Sequence, residues 1–250
     1  MKGYRERCFE AYNLHFEQFH SFSREEFNLY HKVAKKRFKP FIPTSKDSKI
    51  LDVACGAGHF LYFLIKEGYR NVYGIDISEK QLEIARNMGI TSVERADLFE
   101  YLPNHPQEYD LIVANDIIEH LKKEEIFNFL DLIWKALKPE GKAIISTCNA
   151  SSLFGARSRY IDITHEVSFT PESLYEVLMV TGFNDIKIYG EEPVIHDLRS
   201  FIRALLWRFT TKILKIYVSI ETGTGRGMWK RTDFFEPRIF AVAKKTSNGK

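Results

Sequence analysis

Aromatic residues punctuate the first forty positions. Tyr4, Phe9, Tyr12, Phe16, Phe19, Phe22, Phe27, Tyr30, Phe38 and Phe41 recur mostly at three-to-five-residue intervals, the period of amphipathic helices laid against something larger. Ser23 followed by Glu26 predicts a capped helix running to about Phe38, and Pro40 and Pro43 stop it. From Lys49 the pattern changes. Ile50–Ala54 reads as a buried strand, His59 to Glu67 as a helix and Asn71–Asp76 as a second strand. Glu79–Met88 is then a helix, Ile90–Arg95 a third strand, Tyr109–Ala114 a fourth, and Lys123 to Leu137 a helix. Pro139-Glu140-Gly141 turns into a fifth strand, Lys142–Thr147. Thr170-Pro171-Glu172 opens another helix with proline at its first position, and Gly182 closes it. Phe183–Tyr189 and Arg238–Lys244 complete the strands. Such alternation predicts a parallel sheet with helices on both faces.

About 48 residues separate the last two strands, too many for a hairpin. Within them Leu198, Ile202, Leu205, Phe209, Ile213, Ile216 and Ile220 form one apolar stripe. Arg199, Arg203, Arg208, Lys212 and Lys215 accompany it, and no acid occurs between Asp197 and Glu221. Thr222–Gly227 reads as flexible. Three roles suit this insert. It could be a lid that packs its stripe on the domain, a positive rim for an anionic acceptor, or a peripheral contact with an anionic membrane through 198–231, aided by Trp207 and Trp229.

Charge sharpens the picture. The net +3 conceals an acidic body and a basic end: Arg199 to Lys250 hold 12 basic and 3 acidic residues, so the chain through Leu198 carries −6. That body, with no recognisable RNA module, disfavours a nucleic-acid partner. No apolar run approaches a membrane span, and the start lacks a signal-peptide core. Three dispersed cysteines, Cys8, Cys55 and Cys148, suit a reducing, cytoplasmic setting.

Candidate chemistry begins at Asp52-Val53-Ala54-Cys55-Gly56-Ala57-Gly58, at the carboxyl end of the first strand, where open α/β sheets bind ligands. Gly56 and Gly58 permit a sharp turn and close backbone approach. Asp76 ends the second strand, where a carboxylate can accept two ribose hydroxyls. A dinucleotide loop wants a third glycine, but Leu61 stands there. Asp52 would repel a pyrophosphate and suits a ligand bearing a positive amino group instead. A nicotinamide oxidoreductase and a non-catalytic cofactor-binding module are the rival classes.

ILDVACGAGHF (Ile50–Phe60), Asp76-Ile77-Ser78, Ala96-Asp97-Leu98, YDLIVANDIIEHL (Tyr109–Leu121) and LKPEGKAII (Leu137–Ile145) together resemble class I S-adenosylmethionine-dependent methyltransferases. The resemblance implies a Rossmann-like α/β sheet of seven strands, the last antiparallel, with N-terminal helices and a helical insert before the last strand. The expected organisation is an N-terminal cap over 1–45, a catalytic domain over 46–190 and 238–246, and the basic insert over 191–237. The resemblance also implies S-adenosylmethionine as cofactor. Gly56 and Gly58 would line its methionine portion and Asp52 would hold its amino group. Asp76 would take the ribose hydroxyls, Ile77 pack on the adenine, Asp97 accept the adenine amino group and Leu98 donate a backbone N–H. Asn115 would lie near the transferable methyl. Asp97 has a competing reading as the cap of the next segment.

Asp116, Glu119 and His120, at i, i+3 and i+4, would share one helical face near that methyl, with His165 in the connection after the fifth strand. Methyl transfer needs alignment and proton removal, and histidine titrates near neutrality. His120 and His165 are therefore the expected bases. A similar Glu-x-x-Glu-His plus histidine set is a metal site in some relatives, including small-RNA 2′-O-methyltransferases and ubiquinone-pathway O-methyltransferases. The shorter Asp116 weakens that transfer, so a divalent metal is admitted but not expected. The His165–Leu174 segment is similar to quinone-pathway and cell-surface-sugar O-methyltransferases. The basic insert and the Pro237–Ala243 ending resemble bacterial surface-polysaccharide methyltransferases more loosely. The implied reaction is O-methylation of a small-molecule or glycan-like acceptor, such as a nucleotide sugar or polysaccharide precursor. Quinone, phenolic or RNA 2′-hydroxyl acceptors are the alternatives.

Overall fold

The computed structural model describes residues 22–223 and 235–246, together with 4, 7 and 8. The helices expected before Phe22, most of the Thr222–Gly227 segment and Trp229 lie outside the described residues.

The sheet has seven strands: β1 (Ile50–Val53), β2 (Val72–Asp76), β3 (Val93–Arg95), β4 (Tyr109–Asn115), β5 (Leu137–Cys148), β6 (Asn184–Gly190) and β7 (Arg238–Lys244). Their order is β3-β2-β1-β4-β5-β7-β6, and β7 runs antiparallel to both neighbours. The expected fold class is therefore present. Eight α-helices are described: α1 (Arg24–Phe38), α2 (His59–Lys66), α3 (Glu79–Asn87), α4 (Leu98–Tyr101), α5 (Lys123–Ala136), α6 (Gly155–Tyr160), α7 (Pro171–Val180) and α8 (Leu198–Thr222).

Strand alternation divides the core between the two faces. Ile50, Leu111 and Val113 pack toward α1 and α2, whereas Leu51, Val53 and Ile112 pack toward α5 and α7. Both faces are covered, as the continuous apolar strands require. The same alternation sends Asp52 to the α1 side with Ile50, as a buried acid beneath a helix.

Local chemistry sets the helix ends. Ser23 Oγ accepts the Glu26 N–H at 3.2 Å, while the Glu26 carboxylate reaches back to the Phe22 N–H at 2.9 Å. Helix α1 then lays Phe27, Ala34 and Phe38 on the domain. Phe27 stacks on His59 at 4.0 Å, and Phe38 meets Phe60 and Phe240 edge-on. Pro171 begins α7 behind a Thr170–Ser173 capping pair.

Three details depart from the sequence reading. Strand β3 is shorter than expected. Pro139-Glu140-Gly141, predicted as a turn, is an irregularity inside a longer β5, with Glu140 at φ 66°. Helices α4 and α6 were not anticipated, since each is too short to establish a periodicity.

Of the three roles open to the insert, helix α8 departs from the lid that packs its stripe on the domain. Its stripe does not pack on the domain: Leu198, Leu205, Phe209, Ile216 and Ile220 are 59–77% exposed. The face turned inward carries Ser200 and Ala204 instead. Trp207 anchors that face by donating its indole N–H to Glu236 at 3.3 Å.

Candidate active site

The ends of β3, β2, β1 and β4 lie side by side on one edge of the sheet, which brings Asp97, Asp76, Asp52 and Asn115 to a common rim. The loop from β1 to α2 is tightly wound. Ala54, Gly56 and Gly58 have φ values of 56°, 52° and 81°. Asp76 ties this loop down: its carboxylate accepts the Gly56 N–H through Oδ2 and the Ser78 N–H through Oδ1, both at 2.8 Å. Burial raises the Asp76 pKa, while the N–H groups of Ser78, Gly56 and Ile77 oppose that shift. Each carboxylate oxygen can accept a further hydrogen bond.

The two glycines have different reasons. A Cβ on Gly58 would lie 2.8 Å from Ile90 Cδ1 and 3.2 Å from the Ala85 Cβ, so this glycine lets α3 and Ile90 pack closely on the loop. A Cβ on Gly56 would meet only Gln81 Oε1, at 3.8 Å. Gly58→Ala is therefore expected to cost about 2–3 kcal/mol through overpacking and left-handed strain, and Gly56→Ala about 1–2 kcal/mol through strain alone. Urea denaturation of the two variants measures this order.

Asp52 is buried, and its Oδ1 has no hydrogen-bond partner among the described residues. Burial, then the nearby Asp76 charge, pushes its pKa well above the usual carboxylate range. Ile77 is exposed beside Asp76, offering a flat apolar surface. Asp97 caps α4, accepting the Phe99 N–H at 2.7 Å through Oδ1, so the capping reading holds for that oxygen. Leu98 is half-buried against the core. Asn115 Oδ1 accepts the Ser146 hydroxyl at 2.9 Å.

The acidic and imidazole groups beyond β4 do not share one helical face. Asp116 adopts φ 52°, and Ile118–His120 form a single 3₁₀ turn, which splits the expected set in two. On one side Asp116 pairs with Arg238 at 2.5 Å. Arg238 also donates to Ser146 Oγ at 3.2 Å and lies 3.4 Å from Glu191, which Arg37 of α1 engages at 2.8 Å. Glu119 is buried and accepts the Thr147 hydroxyl at 3.0 Å. Burial, then the Asp116 charge, raises the Glu119 pKa far above the ordinary value.

A proton retained by the fold contributes stability that is full below the unfolded pKa and lost as pH rises through the raised folded value. Stability is thus expected to fall as pH rises from about 4.5, the unfolded value, to about 8, the raised folded one, and Glu119→Gln, which mimics the protonated acid, should flatten that slope. Denaturant titrations at the two pH values read the difference.

On the other side stand His120 and His165, with ring centroids 4.7 Å apart, edge to face. The Thr164 hydroxyl donates to Asp162 at 2.7 Å, so it accepts from His120 Nδ1 at 2.8 Å. His165 Nδ1 donates to the Ser158 carbonyl at 2.9 Å. Both rings therefore carry their acceptor lone pair on Nε2. The 165–167 segment is held there by the N–H groups of Glu166 and Val167, which bind the Glu119 carbonyl. Burial, then electrostatic coupling to the neighbouring His165 ring, lowers the His120 pKa to about 4. Burial opposes ionisation of Asp162, but the Thr164 hydroxyl and N–H and the two imidazoles hold its carboxyl below the usual range. Ligating atoms of His120, Asp162 and His165 all lie within 4.8 Å of one another.

Sequence reasoning missed Tyr30, Arg37, Thr164, Asp162 and Arg238. Tyr30 contacts His59, at 5.4 Å between ring centroids. Burial, with Asp52 and Glu191 nearby, keeps its phenol protonated. Arg37, Glu191 and Arg238, with Arg199 and Arg203 of α8, line a cavity of about 600 Å³ between α1, α8 and the start of β7.

Comparison with known proteins agrees with this architecture. A family model described as a methyltransferase domain matches residues 44–180. A ubiquinone biosynthesis O-methyltransferase of Rickettsia bellii is 30% identical over 189 residues, covering 66% of this chain and 76% of that protein. A crystal structure of an S-adenosylmethionine-dependent methyltransferase from Archaeoglobus fulgidus superposes with TM-score 0.62 at 29% identity, covering 86% of this chain and 94% of that one. A Haemonchus contortus phosphoethanolamine N-methyltransferase holding S-adenosylmethionine shares the fold at TM-score 0.59 and 21% identity, over 88% of this chain and 53% of that one. The oxidoreductase and non-catalytic rivals fall, and the chain belongs to the class I S-adenosylmethionine-dependent methyltransferases.

Proposed function

We propose that this methyltransferase modifies a hydroxyl oxygen of a small-molecule acceptor, with His165 as the proton acceptor. The observation that carries the reading is the His120–His165 pair, each ring with Nδ1 committed to a neighbour and Nε2 as the accepting nitrogen. The 30%-identical relative is named for O-methylation in ubiquinone biosynthesis, which favours a phenolic acceptor over a glycan-like one.

The rim residues support the cofactor roles expected of them. Asp52 fits the methionine amino group: its buried Oδ1 lacks a donor, and an ammonium would supply both the hydrogen bond and the counter-charge. Asp76 can take the ribose hydroxyls while still holding the loop of Gly56 and Gly58. Ile77 would pack on the adenine, the second oxygen of Asp97 would accept its amino group, and Leu98 would donate a backbone N–H. Asn115, fixed by Ser146, would lie near the transferable methyl.

When bound, S-adenosylmethionine supplies a methyl group activated on a sulfonium, which leaves as a neutral thioether once the new carbon–oxygen bond forms. His165 receives the hydroxyl proton at Nε2, and Ser158 holds the ring in the required tautomer. His120, its pKa lowered by burial to about 4, is a weak base and acts chiefly by positioning. Helix α1 of the cap and helix α8 of the insert would enclose the acceptor.

Two observations favour variants of this reading. The arginine-lined cavity beside Asp116 favours an acceptor carrying an anionic group, as nucleotide sugars and lipid-diphosphate glycans do. The convergence of His120, Asp162 and His165 suits a transition-metal ion, which would polarise the acceptor hydroxyl as a Lewis acid.

One experiment separates all of these. Labelled cofactor is incubated with catechols, prenylated hydroxybenzoates, nucleotide sugars and RNA, and the products are located by mass spectrometry. Label on a phenolic oxygen is expected; label on nitrogen or carbon would refute the oxygen reading. Repeating the assay after exhaustive chelation should leave activity intact if His165 is the direct base. Loss restored by Mn²⁺ or Zn²⁺ would transfer the role to a metal site.

A further inference from the structure

We propose that α8 docks this protein on an anionic lipid bilayer, lying in the plane of the interface with its apolar face inward. The proposal does not depend on the acceptor reading above. Helix α8 is 25 residues long, and its outward face carries large apolar side chains in unbroken succession. Phe201, Ile202, Leu205, Leu206, Phe209, Ile213, Ile216, Tyr217 and Ile220 are 49–77% exposed. Anchorage to the domain uses the opposite face, through Ser200, Ala204 and Trp207.

Charge identifies the occupant. At about 100° per residue, Arg199 and Arg203 fall on one flank of the apolar face, and Arg208, Lys212 and Lys215 on the other. All five are exposed, and no acid lies between Asp197 and Glu221. Long cationic side chains on both flanks of an apolar face can extend to phosphate level while the face enters the acyl boundary. A second copy of the same face would oppose five cations to five. An anionic bilayer instead matches the apolar face and its charged borders together. No described helix is long and apolar enough to cross a membrane, so α8 would lie on the surface.

A second, separate patch points the same way. After β5, Leu153, Phe154, Tyr160, Ile161 and Ile163 are 60–77% exposed, with Arg157 and Arg159 among them. This segment and the α8 insert both leave the sheet from the carboxyl ends of their strands, at the same edge as the candidate site. Ile202 and Leu206 of α8 also line the cavity that contains Arg238, so a bilayer on α8 would lie at the mouth of that cavity.

The test uses the full chain and sedimentation with phosphatidylcholine vesicles, with and without one third phosphatidylglycerol, at low salt. Wild type should co-sediment with the anionic vesicles at least about ten-fold more strongly than with the neutral ones. Phe209→Ser/Ile213→Ser/Ile216→Ser should lose most of that binding while S-adenosylhomocysteine affinity stays at the wild-type value. Arg208→Gln/Lys212→Gln/Lys215→Gln should lose the preference for the anionic lipid. Wild type remaining in the supernatant, or serine variants binding as wild type does, would overturn the proposal. So would a dimer in sedimentation equilibrium that the serine variants dissociate, which would give the face to a second copy.

Discussion

Asp76→Ala is expected to weaken S-adenosylhomocysteine binding by about 100-fold or more. Two hydrogen bonds from ribose hydroxyls to an ionised carboxylate contribute about 1.5 kcal/mol each at the low end, and about 1.4 kcal/mol is a factor of ten. The loss has a second source. Asp76 also holds the N–H groups of Gly56 and Ser78, so its removal loosens the loop that must meet the methionine portion. Asp76→Asn separates the two contributions. Its amide oxygen can keep one backbone N–H, but the charge and one acceptor are gone, so affinity should still fall by at least about ten-fold. Calorimetry reads both variants, and circular dichroism establishes that they remain folded. Wild-type affinity in Asp76→Ala would end the ribose assignment.

His165→Asn is expected to lower kcat by about 10²–10⁴, the range for loss of a positioned base. The asparagine amide can reproduce the Nδ1 donation to the Ser158 carbonyl, so the loop geometry is kept while the accepting nitrogen disappears. S-adenosylhomocysteine affinity should remain at the wild-type value, placing the defect in chemistry rather than in cofactor binding. His120→Asn should cost less, because a ring whose pKa lies near 4 is a poor proton acceptor at neutral pH. Equal and small losses in both variants would mean that alignment of the reactants does most of the work and that neither ring is the base.

Particular residues show how far the sequence reaches. The β1 loop, Asp52, Asp76 and Asn115 were legible because each sits at or beside the end of a largely apolar strand, whereas Asp97 follows the short, mostly polar β3 and was legible from the Ala96-Asp97-Leu98 motif. Gly58 has a second reason that the sequence did not show: its missing Cβ makes room for Ile90 and Ala85, and strand and helix patterns do not reveal which later residues return to touch a turn. The Asp116, Glu119 and His120 grouping failed for a local reason. Spacing of i, i+3 and i+4 implies a shared face only inside an α-helix, and the left-handed Asp116 followed by one 3₁₀ turn directs Asp116 to Arg238 and His120 to Thr164.

The sequence by itself determined the methyltransferase sheet, the rim of carboxylates at its strand ends, the two histidines and the amphipathic, basic character of α8. Those features are periodic or local, and short-range sterics and apolar spacing specify them. Only the tertiary structure decided that Arg37, Glu191, Arg238 and Asp116 form one charged network and that Thr164 and Asp162 orient His120. It alone also turned the apolar face of α8 outward. Periodicity states that a helix has an apolar face. What covers that face, like what pairs with a given charge, depends on residues distant in the chain.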